Sequence, residues 1–227
     1  MFRRLFNSRS FLRITEVLDR RSENRMTEFG MLAQAFEFAK INGVRGDYFE
    51  FGVWRGKTFR WAHLMKHRYG LNELKLWAFD SFDGLPRVSD ERDNIWKEGQ
   101  FACSVEEFRQ IVAASGVGTE EYEIVAGFYS DSLDETAHAR VGQRQAAIVY
   151  IDCDLYESTS DALKFVSRHV AHGAVLCFDD YYNYKAARDQ GEAKALAEFC
   201  GDNPRLDVIP YFNYSPLGAS FIVRHRE

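Results

Sequence analysis

The chain has 227 residues, 46% hydrophobic and 15% aromatic, enough for one sizeable domain that buries a core without covalent staples. Its 29 basic and 34 acidic residues leave a net charge of −5, which opposes a general nucleic-acid binder, whose footprint is basic. No apolar run reaches the length of a membrane span, and the arginine-rich start MFRRLFNSRSFLR lacks the continuous apolar stretch of a secretory signal. No nucleic acid, no stable membrane insertion and a cytoplasmic setting are therefore expected. Cysteines 103, 153, 177 and 200 include no C-x-x-C pair, so they do not form a zinc site by themselves.

Residues 1–25 carry seven arginines interspersed with Phe2, Leu5, Phe6, Phe11, Leu12, Ile14 and Leu18. That pattern predicts one or two amphipathic helices, packed on their own domain or on a second subunit as a homodimer; a membrane-surface or anionic-partner role is the alternative. Residues 1–40 are expected to form a helical arm or lid, and 41–227 the main domain. A helix over Met26–Lys40 is expected to stop at Asn42-Gly43.

Strand and helix then alternate. Tyr48–Val53 reads as a strand, Lys57–Tyr69 as a helix and Leu74–Phe79 as a strand. Asp83-Gly84-Leu85-Pro86 breaks the chain, and a polar loop runs to about Gln100. Ser104, with Glu107 three residues on, predicts a capping box for a helix through Ala114. Tyr122–Ala126 reads as a strand, Ser130–Ala137 as a short helix, Ala146–Ile151 as a strand and Ser158–Val170 as a helix. Ala174–Phe178 follows as a strand and Glu192–Phe199 as a helix. Two closing strands, Leu206–Pro210 and Gly218–Val223, are joined by FNYSPLG and must be antiparallel, because parallel neighbours need a crossover. The alternation predicts an α/β fold, a mostly parallel sheet with helices on both faces.

Three of the apolar runs end in acid: AFDSFDG at Asp80, IVYIDCDLYES at Asp152 and Asp154, and AVLCFDDYY at Asp179 and Asp180. Buried parallel strands that end in carboxylates deliver them to the sheet edge where ligands bind. Asp152, Asp179 and Asp180 are expected to converge on one all-oxygen site, which suits Mg²⁺, Mn²⁺ or Ca²⁺ rather than zinc. Asp154 is expected to cap the helix that follows.

Glu50-Phe-Gly52-Val-Trp54-Arg-Gly56 lies at the first strand-to-helix turn. It is not a dinucleotide fingerprint, since Trp54 fills the second glycine's place, and it falls one residue short of a phosphate-binding P-loop ending in Gly56-Lys57-Thr58. Lys57 is expected to be an exposed first-turn side chain. Asp80 follows Gly56 by 80 − 56 = 24 positions and can accept ribose hydroxyls, while Glu50 can orient the turn or meet a cationic group. A cofactor with a ribose, no phosphates and a positive charge suits this set: S-adenosylmethionine. A nucleotide-phosphate enzyme, kinase or NTPase, and a non-catalytic cofactor-binding assembly protein are the alternatives. His63 and His67 have zinc spacing but no evident third ligand, so a solvated helix face is expected. Tyr181, Tyr182, Tyr184, Tyr211 and Tyr214 suggest an aromatic acceptor site.

YFEFGVWRGKT, AFDSFDGLP, AGFYSDSL, IVYIDCDLYESTSDAL and AVLCFDDYYNY, in this order, resemble the macrocin O-methyltransferase family over roughly Arg25 to Phe199. The resemblance implies a Rossmann-like class I methyltransferase fold, with seven strands and an antiparallel C-terminal strand. It implies Mg²⁺-dependent methylation of a hydroxyl on a sugar-bearing small molecule. By the same resemblance Glu50, Gly52, Val53, Trp54 and Gly56 would line the methionine end of the cofactor. Asp80, Ser81 and Phe82 would hold its ribose and adenine edge, Gly127 and Phe128 would flank the base, and Met26 would lie in a closing segment. Asp152, Asp179 and Asp180 would bind the metal, with Asp152 also against the cofactor and acting as base. Lys57, where family members commonly have a glycine or small residue, and a short loop between Asp80 and Gly127 depart from the pattern and bear on the acceptor.

Overall fold

The computed structural model describes residues 27–87 and 96–226. The arginine-rich arm and Met26 lie outside the described residues. Five strands, β1 (Asp47–Phe51), β2 (Leu76–Asp80), β3 (Tyr122–Ala126), β4 (Ala146–Ile151) and β5 (Val170–Phe178), run parallel to their neighbours. The tail strands β6 (Leu206–Tyr214) and β7 (Gly218–His225) complete one sheet in the order β3-β2-β1-β4-β5-β7-β6, with β7 antiparallel to both β5 and β6. The strand order reverses between β1 and β4, which makes their C-terminal ends the place where a crevice opens.

Among the described residues the helices include α1 (Glu28–Asn42), α2 (Lys57–Arg68), α3 (Val105–Ala114), α4 (Tyr129–Ser132), α5 (Glu135–Val141), α6 (Tyr156–Val166) and α7 (Gly191–Asp202), with a short kinked turn over Asn183–Ala186. Thr27 Oγ1 accepts from the Gly30 N–H at 3.1 Å to start α1, and Gly43, at φ 64°, stops it by donating to the Ala39 and Lys40 carbonyls. Ser104 caps α3 by accepting from the Glu107 N–H at 3.2 Å. The Glu107 carboxylate instead pairs with Arg55 at 2.9 Å, which ties α3 to the glycine turn.

Side-chain alternation divides the core between the two faces of the sheet. Tyr48, Ile148 and Val175 pack with Met31 and Phe36 of α1, Phe59 of α2 and Phe108 of α3. On the other face, Phe49, Phe51, Phe79 and Ile151 pack with Val141 of α5, Leu163 and Phe165 of α6, and Phe199 of α7. Each such side chain contributes about 1.5–3 kcal/mol by burial. Although α1 falls within the expected arm at 1–40, its Met31, Leu32, Ala35 and Phe36 are fully buried in the same core as β1 and β4. Among the described residues no helix is long and apolar enough to cross a membrane.

Backbones meet directly at the strand reversal. Asp152 N–H donates to the Phe51 carbonyl at 2.8 Å, and Gly52 N–H donates to the Phe79 carbonyl at 2.9 Å. Gly52 sits at φ 87°, and a Cβ there would overlap the Asp152 carbonyl oxygen. Gly52→Ala should therefore lower unfolding free energy by about 3 kcal/mol or more, strain and overpacking together. Gly43→Ala, at φ 64° with open space around it, should lose only about 1 kcal/mol. Urea denaturation of the two variants reads the difference, and equal losses would contradict the steric account.

Candidate active site

A cavity of about 490 Å³ opens over the ends of β1, β2 and β4. Of the residues expected to hold a cofactor, Gly52, Val53, Trp54, Asp80, Ser81, Phe128 and Asp152 line it, as does Asp179. Glu50, Gly56, Phe82 and Gly127 do not. A Cβ on Gly56 would press on Phe108 and Val112 at 3.0 and 3.2 Å, and Phe82 stacks edge-on against Phe108, so both face α3 rather than the cavity. Gly127 N–H donates to the Asp80 carbonyl at 2.9 Å, which fixes the turn after β3 to the end of β2.

Glu50 is fully buried on the Tyr48 face of β1, where it accepts from the Tyr48 hydroxyl and from Thr58 Oγ1, the latter at 2.6 Å. Burial raises its carboxyl to about 8 against the opposing pull of those two hydroxyls. It braces the first turn of α2 and does not reach the cavity to meet a cationic group.

Asp80 has a job that the sequence does not disclose. Its Oδ2 accepts from the Val53 and Trp54 N–H groups at 2.8 and 2.9 Å, and its Oδ1 accepts from the Phe82 N–H at 2.7 Å. Its carboxylate lines the cavity while holding these three amides. The turn's amides, which a P-loop would aim at phosphate, are already occupied by an anion. Lys57, at the start of α2, is ion-paired with Glu28 and lies 5.0 Å from the centre of the Phe29 ring. Trp54 and Phe101, both with exposed surface, meet edge to face at 5.6 Å among the cavity-lining residues.

The acids beyond β4 and β5 converge, but not as the expected trio. Carboxylate oxygens of Asp152, Asp154 and Asp180 lie within 4.8 Å of one another. Asp154 does not cap α6; Leu155 holds the N-cap position and makes no side-chain cap bond. Its left-handed backbone, φ 60°, costs about 1–3 kcal/mol for a non-glycine residue and accompanies a carboxyl turned toward Asp180. Asp179 stands beside this trio and accepts from the Tyr150 hydroxyl at 2.6 Å. Behind them Glu192, only 1% exposed, accepts from the Asp180 N–H at 2.9 Å and leaves Oε1 without a partner. Asp154, Tyr150 and Glu192 are thus additions to the expected set.

Burial, followed by the charges of Asp179, Asp154 and Asp180, pushes the Asp152 carboxyl well above the usual range. Burial and Asp180 raise Asp154 to about 8, and burial raises Asp179 to about 6 despite the Tyr150 bond. Clustered, half-desolvated carboxylates with only oxygen donors fit a hard divalent cation such as Mg²⁺. The expected aromatic cluster assembles only in part: Tyr181, Tyr182 and Tyr211 line a separate cavity of about 470 Å³, Tyr214 is buried in the core, and Tyr184 accepts from Trp96 Nε1 at 3.3 Å.

These raised carboxyls fix a pH dependence. Unfolded Asp and Glu titrate near 4, so between there and about 8 the folded chain holds more protons at Glu50, Asp154 and Asp179. Their stabilising contribution is full below about 4 and is lost as pH rises through the folded values. Thermal unfolding without added metal should show a melting temperature that falls from pH 5.5 to 8.5. Mg²⁺ should recover it at the alkaline end, and Asp154→Asn should flatten the slope; a melting temperature that rises across this window would contradict the assignment.

The family model described as macrocin-O-methyltransferase (TylF) matches residues 22–199. An 8-demethyl-8-(2,3-dimethoxy-alpha-L-rhamnosyl)-tetracenomycin-C 4'-O-methyltransferase from Streptomyces olivaceus is 29% identical over 157 residues, 66% of this chain and 58% of that protein. The matched stretch spans roughly three fifths of the length of each of three curated relatives, at 58%, 63% and 61%. The O-methyltransferase NovP shares the fold at TM-score 0.71 and 24% identity, covering 87% of this chain and 79% of that one. TomG from Streptomyces achromogenes, an O-methyltransferase solved in complex with S-adenosylmethionine, does so at TM-score 0.57 and 14% identity, covering 87% and 80%. With its class I methyltransferase sheet and a match over residues 22–199, the chain belongs to the macrocin O-methyltransferase family.

Proposed function

We propose that this chain is an S-adenosylmethionine-dependent O-methyltransferase that uses a divalent cation, Mg²⁺, and acts on a hydroxyl of a sugar-bearing small molecule. The observation that carries the reading is the placement of the Asp80-tied glycine turn and the Asp152 acid cluster around one cavity at the strand reversal. The rhamnosyl-bearing substrate named for the Streptomyces olivaceus relative supports the acceptor class.

S-adenosylmethionine supplies an electrophilic methyl group when bound. Gly52, Val53 and Trp54 would hold its amino-acid end, and Asp80 its ribose, beside Ser81 and Phe128. Displacement at a methyl carbon demands alignment of nucleophile, carbon and sulfur, so rigid placement of the turn matters more than its charge. Trp54 and Phe101 offer ring faces against which a base or the apolar face of a sugar can pack.

A sugar hydroxyl is a weak nucleophile at neutral pH. Asp152 faces the cavity, and held ionised by a neighbouring cation its oxygen would accept the hydroxyl proton. Asp152, Asp154 and Asp180, the last braced by Glu192, would hold the cation with Asp179 beside them, and the cation would supply positive charge that favours the deprotonated hydroxyl. Tyr150 orients Asp179.

The nucleotide-phosphate alternative is disfavoured because Asp80 occupies the turn amides and would repel phosphate. A scaffold without catalysis gives no reason to keep four desolvated aspartates together with a strained Asp154.

Methyl transfer from labelled S-adenosylmethionine to a panel of deoxysugar-bearing acceptors tests the reading. Asp152→Asn should lower kcat by about 10²–10⁴. Asp179→Asn should abolish metal-dependent turnover while leaving S-adenosylmethionine affinity within a few-fold. Full turnover in EDTA, or in Asp152→Asn, would rule out the metal and base assignments.

A further inference from the structure

A second cluster of metal-ligating side chains stands on the α3 side of the sheet, in none of the roles proposed above. His63 and His67, one turn apart on α2, do not form a solvated face: His63 is buried at 8% exposure, and both rings turn toward Glu121. Glu121 ends the 3₁₀ turn Thr119–Glu121 that leads into β3. His63 Nε2 lies 2.8 Å from Glu121 Oε2, His67 Nε2 lies 3.1 Å from Glu121 Oε1, and the two Nε2 atoms are 3.1 Å apart.

Hydrogen bonding alone does not satisfy this triangle. Two Nε2 atoms carry at most two protons, whereas three contacts each require one. If both imidazoles donate to the carboxylate, their N–H groups confront each other; if one accepts from the other, it has no proton left for Glu121. The carboxylate acts as acceptor throughout, taking the Lys66 Nζ bond at Oε1 and the Gly118 N–H at Oε2. A tetrahedral site with metal–ligand bonds of ~2.0–2.1 Å has ligand–ligand edges of ~3.3 Å; the two Nε2 atoms are 3.1 Å apart, His67 Nε2 is 3.1 Å from Glu121 Oε1, and one ligand atom from each of the three residues lies within 4.8 Å of the others.

We propose that His63, His67 and Glu121 form a tetrahedral binding site for zinc or a similar borderline divalent transition metal, completed by water. Two imidazoles at i and i+4 of a helix with one carboxylate are a ligand set suited to that metal class. The carboxylate is oriented from behind, Oε1 by Lys66 Nζ at 3.1 Å and Oε2 by the Gly118 N–H at 3.2 Å, in the manner of the outer bonds that fix metal ligands. His67 is 46% exposed on its side chain, which leaves an open path for the metal and the fourth ligand. The site joins α2, whose first turn borders the cofactor cavity, to the start of β3. It binds a different class of ion from the aspartates, nitrogen-preferring rather than oxygen-only.

Cobalt(II) is the probe, because tetrahedral coordination gives an intense visible absorption that octahedral oxygen sites lack. The full chain, titrated with Co²⁺ in excess Mg²⁺ to fill the aspartates, should develop that absorption to a stoichiometry of one, and Zn²⁺ should displace it. His67→Ala, at an exposed position that tolerates truncation, and Glu121→Gln should each weaken affinity at least about tenfold. Asp180→Asn should leave the signal intact. Failure to develop tetrahedral absorption, or an absorption that survives His67→Ala and Glu121→Gln unchanged, would overturn the proposal. Disappearance of the signal in Asp180→Asn would overturn it equally, by assigning the metal to the other cluster.

Discussion

The close approach of β1 and β4 at Gly52 and Asp152 is the constraint on which the rest of the site depends. The sheet order reverses there, so helices from the two strands leave toward opposite faces and a crevice opens between them. Only a residue without a side chain lets the turn after β1 lie against the Asp152 carbonyl. The same contact brings the glycine turn, with its Asp80 knot, to the aspartate that leads the acid cluster. A methyl donor held by the turn would face a base held by β4 because these two backbones touch.

The second consequence is electrostatic. Packing Asp152, Asp154, Asp179 and Asp180 at one half-desolvated edge raises every one of their carboxyls, and burial together with these charges raises Glu192 behind them. Two of the acids have outside support, Tyr150 for Asp179 and Glu192 for the Asp180 backbone. Support of that kind positions carboxylates without neutralising them. Protonation or a bound cation would do the rest, which is why the site is expected to respond to pH and to metal.

Much of the sheet was legible because buried strands announce themselves. Tyr122–Ala126 and Ala146–Ile151 match their apolar runs residue for residue, and the short FNYSPLG link requires the antiparallel pair. Local signals set the helix ends at Ser104 and Gly43 as well. The site was legible only in part. Alternation along β1 places Glu50 on the face of Tyr48, inside the core, although its position beside the glycines invited a ligand role. Asp154 read as a cap because nothing local indicates the left-handed turn that redirects it. Asp80's hold on Val53 and Trp54 and Glu121's approach to the α2 histidines span more than twenty-five positions of sequence. Such pairings arise from strand order and register, which no run of residues encodes by itself.

The central claim is that the turn tied by Asp80 receives a sulfonium nucleoside rather than a nucleotide phosphate. Isothermal titration of the full chain with S-adenosylmethionine, and in parallel with ATP, tests it most directly. The account predicts saturable one-to-one binding of S-adenosylmethionine, retained in EDTA because the turn and Asp80 need no metal, and no saturable binding of ATP. Saturation by ATP with none by S-adenosylmethionine would contradict it.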